Sequence, residues 1–145
     1  MTDDYKIPED CERWFANIIA KLFELSAKRN YDSKQLASAF LTHPQWRSML
    51  LSDNVFYYGT GLTYALDAVV TSANVQKGFS FDSYVMWVYG YLIKWWVYKF
   101  PEDIDFIQQI MPLESFDDNF LYWHTQGFNK IVYELHERVL ALKQK

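Results

Sequence analysis

The chain has a single cysteine, Cys11, which rules out an internal disulfide framework, a CxxC redox pair and a thiolate-rich zinc site. Glycine and proline are sparse, at five and four residues. They punctuate helices instead of forming the regular turn signals of an all-β chain. There is no GxSxG, P-loop or GxGxxG, and Gly59-Thr-Gly61 is too short to cradle a phosphate. The hardware of nucleophilic hydrolases and nucleotide binders is therefore missing. No basic arm is present either. Residues 1–72 and 73–145 share the 14 Lys/Arg and 18 Asp/Glu evenly, for a formal net charge of −4. Phosphate backbones need clustered positive charge, so no nucleic-acid partner is expected. The opening MTDDYKIPEDCERW has no basic segment followed by an apolar run, so a secretory signal is not expected and the cytoplasm is the expected location.

What the chain does have is aromatic residues: 11 Tyr, 11 Phe and 6 Trp, together 19% of the sequence. They concentrate in Tyr84–Phe100, YVMWVYGYLIKWWVYKF, where Lys94 is the one charge before the closing Lys99. Roughly 17 residues is the lower limit for a membrane span. Lys94 interrupts this one, and aromatic residues favour the membrane interface over the hydrocarbon centre. With a mean hydropathy of −0.21 for the whole chain, no membrane span is expected. The apolar fraction of 50% against 22% charge describes a globular protein long enough to bury a core without metal or disulfide.

Periodicity gives an all-α fold of six to eight helices in one domain, residues 1–145. The domain can also be read as two packed halves, 8–78 and 79–145. Pro8 opens a first helix whose Trp14, Phe15, Ile18, Ile19, Leu22, Phe23 and Leu25 form an apolar stripe ending near Arg29. Asp32-Ser-Lys-Gln35 reads as a capping box for a second helix, closed by Pro44. A short helix then covers Gln45–Leu51, and a longer one capped by Thr60 runs toward Gly78. Ser80 is expected to cap the central aromatic helix, residues 81–100. Pro101 closes it and opens the next, and Thr125 is expected to cap the last helix.

Few constellations suggest chemistry. Glu102, Asp103 and Asp105 follow Pro101, where acidic side chains complement the positive end of a helix, and that electrostatic role is favoured over metal or acid–base work. The spacing of His43, His124 and His136 matches no metal-ligand pair. His43 reads as a helix-end residue and His136 as lying on the polar side of the last helix. His124, in YWHTQG, is expected to bond backbone at a turn. No metal, cofactor or catalytic residue is expected. The aromatic helix reads chiefly as core, because a helix apolar all round is ordinarily central. Its best candidate surface is the face bearing Trp87, Tyr91, Lys94 and Tyr98, with Lys94 laying its stem over aromatic rings.

Two segments carry a resemblance. YGYLIKWWVYKFPEDIDFIQQIMP and FLYWHTQGFNKIVYEL resemble motifs of small bacterial antitoxin-like proteins whose genes lie beside those of ADP-ribosyltransferase-like toxins. The positions that match are Lys94, Trp95, Trp96, Tyr98, His124, Thr125 and Gly127, all in the C-terminal half. Tyr57-Tyr-Gly-Thr-Gly61 loosely echoes Tyr122–Gly127, a hint of two related halves. The resemblance implies a non-catalytic protein-binding module that inhibits a partner stoichiometrically, the partner being a toxin from the neighbouring gene. Partner contacts would fall on Trp87, Tyr91, Lys94, Tyr98, His124, Thr125 and Gln126. Two other readings stay open: a phage- or plasmid-borne inhibitor of a host defence protein, and a ligand binder or enzyme using the aromatic cluster as a pocket. A homo-oligomer is compatible with each.

Overall fold

The computed structural model describes residues 10–51 and 61–144. The expectations for Pro8, the Cys11 thiol, Thr60 and the Tyr57–Thr60 part of the internal echo lie outside those residues. The described part is all helical: α1 (Asp10–Lys28), α2 (Ser33–Thr42), α3 (Pro44–Leu51), α4 (Leu62–Ser72), α5 (Ser83–Lys99), α6 (Ile107–Ile110), α7 (Leu113–Asp118), α8 (Phe120–Thr125) and α9 (Phe128–Lys143). A 3-10 turn, Pro101–Phe106, joins α5 to α6. Among the described residues, no helix is long and apolar enough to cross a membrane.

The aromatic helix α5 is the centre. Val85, Met86, Val88, Tyr89, Gly90, Leu92, Ile93, Lys94, Trp95, Trp96 and Val97 are all buried, so the helix is enclosed on most of its circumference. Its largest neighbour is α1, whose Ala16, Ile19, Leu22 and Phe23 are fully enclosed. The two helices meet at Gly90. A Cβ there would lie 2.9 Å from Phe23 Cγ and 3.1 Å from Phe23 Cβ. Glycine inside a helix costs about 1 kcal/mol against alanine. Here that cost buys a closer approach of two backbones, with the Phe23 ring lying on the bare Cα.

A second set of contacts ties the α1–α2 corner to the extended segment before α5. Asp32 caps α2 by accepting from Gln35 N at 3.0 Å. The expected box is only half formed. Gln35 does not return to its own cap but accepts from Gln76 N at 2.8 Å, while Asp32 N donates to Gln76 O. Tyr31 and Lys77 form an isolated antiparallel bridge, with the Lys77 ammonium 4.0 Å from the centre of the Tyr31 ring. Ser33 and Ser80 complete the seam, Ser33 Oγ accepting from Phe81 N and Ser80 Oγ donating to Tyr31 O. This pairing ends α4 at Ser72, earlier than the expected limit near Gly78, because residues 76–81 are spent on backbone bonds to the corner. With Ser80 so engaged, Asp82 becomes the cap of α5, accepting from Tyr84 N at 2.9 Å and Val85 N at 3.3 Å.

The last helix also starts differently from expectation. Gly127, not Thr125, is its N-cap, and Thr125 ends α8, donating its hydroxyl back to Leu121 O at 2.9 Å. His43 is indeed a helix end, its N–H donating to Ala39 O.

Two predictions follow from the centre of the fold. Gly90→Ala should lower the unfolding free energy by about 1–3 kcal/mol, the range for overpacking a well-filled core. Urea denaturation checks it; a gain in stability would mean that the Phe23 ring yields and helix propensity wins. Tyr89 is fully buried and donates its hydroxyl to Met111 O at 2.9 Å. Burial raises its pKa well above the ordinary value of 10.0. Above about pH 10 the unfolded chain releases this proton while the native chain keeps it, so stability falls as pH rises. Urea midpoints compared between pH 9 and pH 11 should fall in the wild type and fall less in Tyr89→Phe.

Candidate functional site

One side of α5 carries a ladder of aromatic rings. Tyr84 stacks on Trp87 with centroids 6.4 Å apart, Trp87 on Tyr91 at 5.2 Å, and Tyr91 on Trp95 at 5.8 Å. Trp95 then meets Tyr98 at 6.4 Å, tilted by 42°. Spacings of three and four residues place these five on one stripe of the helix. The stripe is open at both ends, where Tyr84 is 48% and Tyr98 40% exposed. Trp87 and Tyr91 are half-buried in its middle, and Trp95 is buried.

The C-terminal helices frame the ladder. Phe128, at the start of α9, packs on Tyr91 with centroids 4.7 Å apart. Asn129 Oδ1 accepts from Trp95 Nε1 at 3.0 Å, satisfying the indole donor. From α8, His124 lies flat against Phe120 at 5.1 Å and edge-on to Tyr84 at 5.3 Å. Its Nε2 shares a 2.8 Å hydrogen bond with the Tyr84 hydroxyl. His124 therefore joins α8 to the ladder through a side chain, not through the backbone of the turn as expected. Beside it, Tyr122 donates to Glu134 Oε1 at 2.6 Å, and that bond raises the Tyr122 pKa. Desolvation raises the Tyr91 pKa, partly opposed by the Arg13 guanidinium.

Trp87, Tyr91, Tyr98 and His124 thus belong to one surface. Thr125 and Gln126 sit at its edge, Thr125 exposed and Gln126 half-buried. Tyr84 and Trp95 also belong to it, and their regular spacing from Trp87 and Tyr91 was the signal in the sequence that would have added them.

Lys94 does not belong. It is 3% exposed, and its ammonium donates to Leu50 O at 3.0 Å and Met49 O at 3.3 Å, carbonyls in the last turn of α3. The ammonium also lies 5.9 Å from the centre of the Phe15 ring. The expected surface lysine is a core group for a definite reason. The last carbonyls of a helix have no partner within the helix and carry the negative end of its dipole. A cation supplied from α5 meets both needs.

Among the acidic residues after Pro101, Asp103 departs most from expectation. It is fully enclosed, and its Oδ2 accepts from Trp96 Nε1 at 2.9 Å and lies 2.8 Å from His136 Nδ1. Asp103 and His136 thus share one hydrogen bond, whose donor depends on the His136 tautomer. His136 is correspondingly drawn in from the polar side of α9, its ring stacked on Phe100 with centroids 3.7 Å apart. Asp105 instead reaches the surface and pairs with Arg47 at 2.7 Å.

The ladder also limits what can bind. A planar ligand stacked between two rings needs them about 7 Å apart, twice the carbon contact distance. The four steps run from 5.2 to 6.4 Å between centroids, so no adjacent pair is spread far enough to admit one.

No protein-family model matches the chain, and neither does any curated protein or solved structure.

Lys94 gives the sharpest test of this geometry. Lys94→Met leaves the two α3 carbonyls short of a donor, at a cost of about 1–3 kcal/mol. Lys94→Glu also sets a negative charge against them and should destabilise the fold further. Urea midpoints of the two variants should fall in that order below wild type; a wild-type midpoint for Lys94→Glu would place the side chain in solvent.

Proposed function

We propose that this chain is a non-catalytic protein-binding module, an antitoxin-like inhibitor that holds its partner on the aromatic ladder of α5. The observation that carries this reading is the unbroken run of ring contacts from Tyr84 to Tyr98, exposed at both ends, half-buried at Trp87 and Tyr91, and framed by His124 and Phe128. Tyr and Trp are the residues that most often dominate binding energy at protein interfaces, presenting apolar area and a polar tip with few rotatable bonds. Here neighbouring rings fix those side chains before any partner arrives, which lowers the entropy lost on binding. Tyr84 and Tyr98 form the accessible ends, and Trp87 and Tyr91 form the centre. Exposed Leu121 and Tyr122 extend the apolar area on α8.

The partner is a protein surface offering apolar side chains to the ring edges and hydrogen-bonding groups to the Tyr hydroxyls. The net charge of −4 favours a basic partner over an acidic one. The resemblance of the α5 and α8–α9 sequences to antitoxin-like proteins supports a toxin from the neighbouring gene as that partner. Inhibition would be stoichiometric, by occupation of the partner's surface.

Co-expression with the product of the adjacent gene should yield a stable complex of defined stoichiometry. The double variant Tyr84→Ala/Tyr98→Ala should weaken it at least tenfold in calorimetric titration, about 1.4 kcal/mol or more. Helical circular dichroism should be unchanged, because both side chains lie at the open ends of the ladder. Absence of a complex, or wild-type affinity in the double variant, would reject the reading.

A further inference from the structure

Away from the ladder, Glu102, Asp103 and His136 bring one potential metal-ligand atom each to within 4.8 Å of one another. Two of the three come from the 3-10 turn after α5 and the third from the middle of α9. We propose that these residues form a binding site for one divalent first-row metal ion of the zinc class, which fastens α9 to the end of α5.

A group of acids alone would not carry this, since exposed carboxylates are common without a metal. Asp103 is the distinguishing feature. It is fully enclosed, and its second oxygen, Oδ1, has no hydrogen-bond partner among the described residues. A buried polar atom without a partner costs about 1–3 kcal/mol, more when charged. Native structures rarely leave one, except where water, an ion or a function explains it. An ion held with His136 and Glu102 would replace the hydrogen now shared between Asp103 and His136 and leave the carboxylate with a partner for Oδ1.

The donor set suits such an ion. Imidazole nitrogen selects zinc and its first-row neighbours over magnesium and calcium, which prefer oxygen throughout. Three donors that each bind one ion at about 2.0–2.2 Å lie roughly 3.3–3.8 Å from one another. Closing the observed 4.8 Å limit to that spacing takes an inward shift of about 1 Å, which Glu102, exposed on its turn, can make by rotating its side chain. The remaining coordination positions would be taken by water.

The surroundings already hold these ligands in place. Trp96 Nε1 donates to Asp103 Oδ2 and orients the carboxylate from within α5. Phe100 fixes the plane of the His136 ring by stacking. Outer groups of this kind orient metal ligands and raise affinity. The site would therefore be largely formed before the ion enters. Its open approach lies on the Glu102 side, the exposed member of the three.

Titration of chelator-treated full-length protein with zinc chloride should show one saturable event per chain and a rise in melting temperature. Cobalt(II) should produce visible d–d bands that zinc displaces. Glu102→Gln removes the most exposed ligand charge and should weaken zinc binding at least tenfold, with no change in melting temperature in the presence of chelator. His136→Gln should weaken it at least as much; if that variant does not fold, Glu102→Gln and the cobalt spectrum still decide. No saturable event in the wild type would overturn the proposal. So would equal affinities for wild type and Glu102→Gln, which would show adventitious surface binding only.

Discussion

The close passage of α1 over α5 at Gly90 is the constraint on which the rest of this protein depends. With a Cβ position only 2.9 Å from Phe23 Cγ, the two helices can approach only because position 90 has no side chain. Once α1 occupies that side, α5 has little circumference left. The seam between residues 29–33 and 76–81 fixes the angle at which the chain enters α5, through backbone bonds from Asp32 to Gln76 and from Ser33 to Phe79. The aromatic ladder is the stripe of α5 left after these contacts are made, with α8 and α9 covering its margins. The candidate binding surface is thus a consequence of how the central helix is enclosed.

Burying α5 so thoroughly leaves polar groups to satisfy, and the structure meets each need with a neighbouring element. The α3 carbonyls take the Lys94 ammonium, the Trp95 indole finds Asn129 on α9, and the Trp96 indole finds Asp103. Tyr89 reaches Met111 O beyond α6. Four polar contacts therefore radiate from one helix to four different segments. Each adds direction to packing that hydrophobic burial alone would leave loosely specified, since apolar burial is non-directional. Among the described residues, Asp103 Oδ1, with His43 Nδ1 and Trp123 Nε1, is an enclosed side-chain atom left unsatisfied.

The helical class, the order of the main helices and the central role of residues 81–100 were legible from periodicity, which reports local structure well. Asp32 was legible as a cap because its bond to Gln35 N lies within four residues. Three of the misread positions share a different property: their partners are distant in sequence. Lys94 and its α3 carbonyls are 44 and 45 residues apart, Asp103 and His136 are 33 apart, and Gln35 and Gln76 are 41 apart. A helical wheel gives Lys94 the Trp87 and Tyr98 face but has no means of showing that α3 ends over it. Asp103 was misread for a second reason. The segment after Pro101 winds as a 3-10 turn, so the inward positions of an α-helix do not apply there.

The two polar sites of the C-terminal half bear differently on function because one is finished and the other is not. Tyr84 and His124 satisfy each other, and that bond ties the exposed N-terminal end of the ladder to α8. Nothing there demands a further ligand; the surface is ready as it stands, which suits a protein that acts by being bound. Asp103 is enclosed beside a half-buried His136 and carries an unmet acceptor, so the pair would gain from an added cation in a way the ladder does not. Both sites are held by α9, through Phe128 at one end and His136 near its middle. Any ion that fixes His136 against the end of α5 also fixes the helix whose first residue backs Tyr91. Metal occupancy and the rigidity of the ladder would then be coupled through α9 without the ion touching the binding surface.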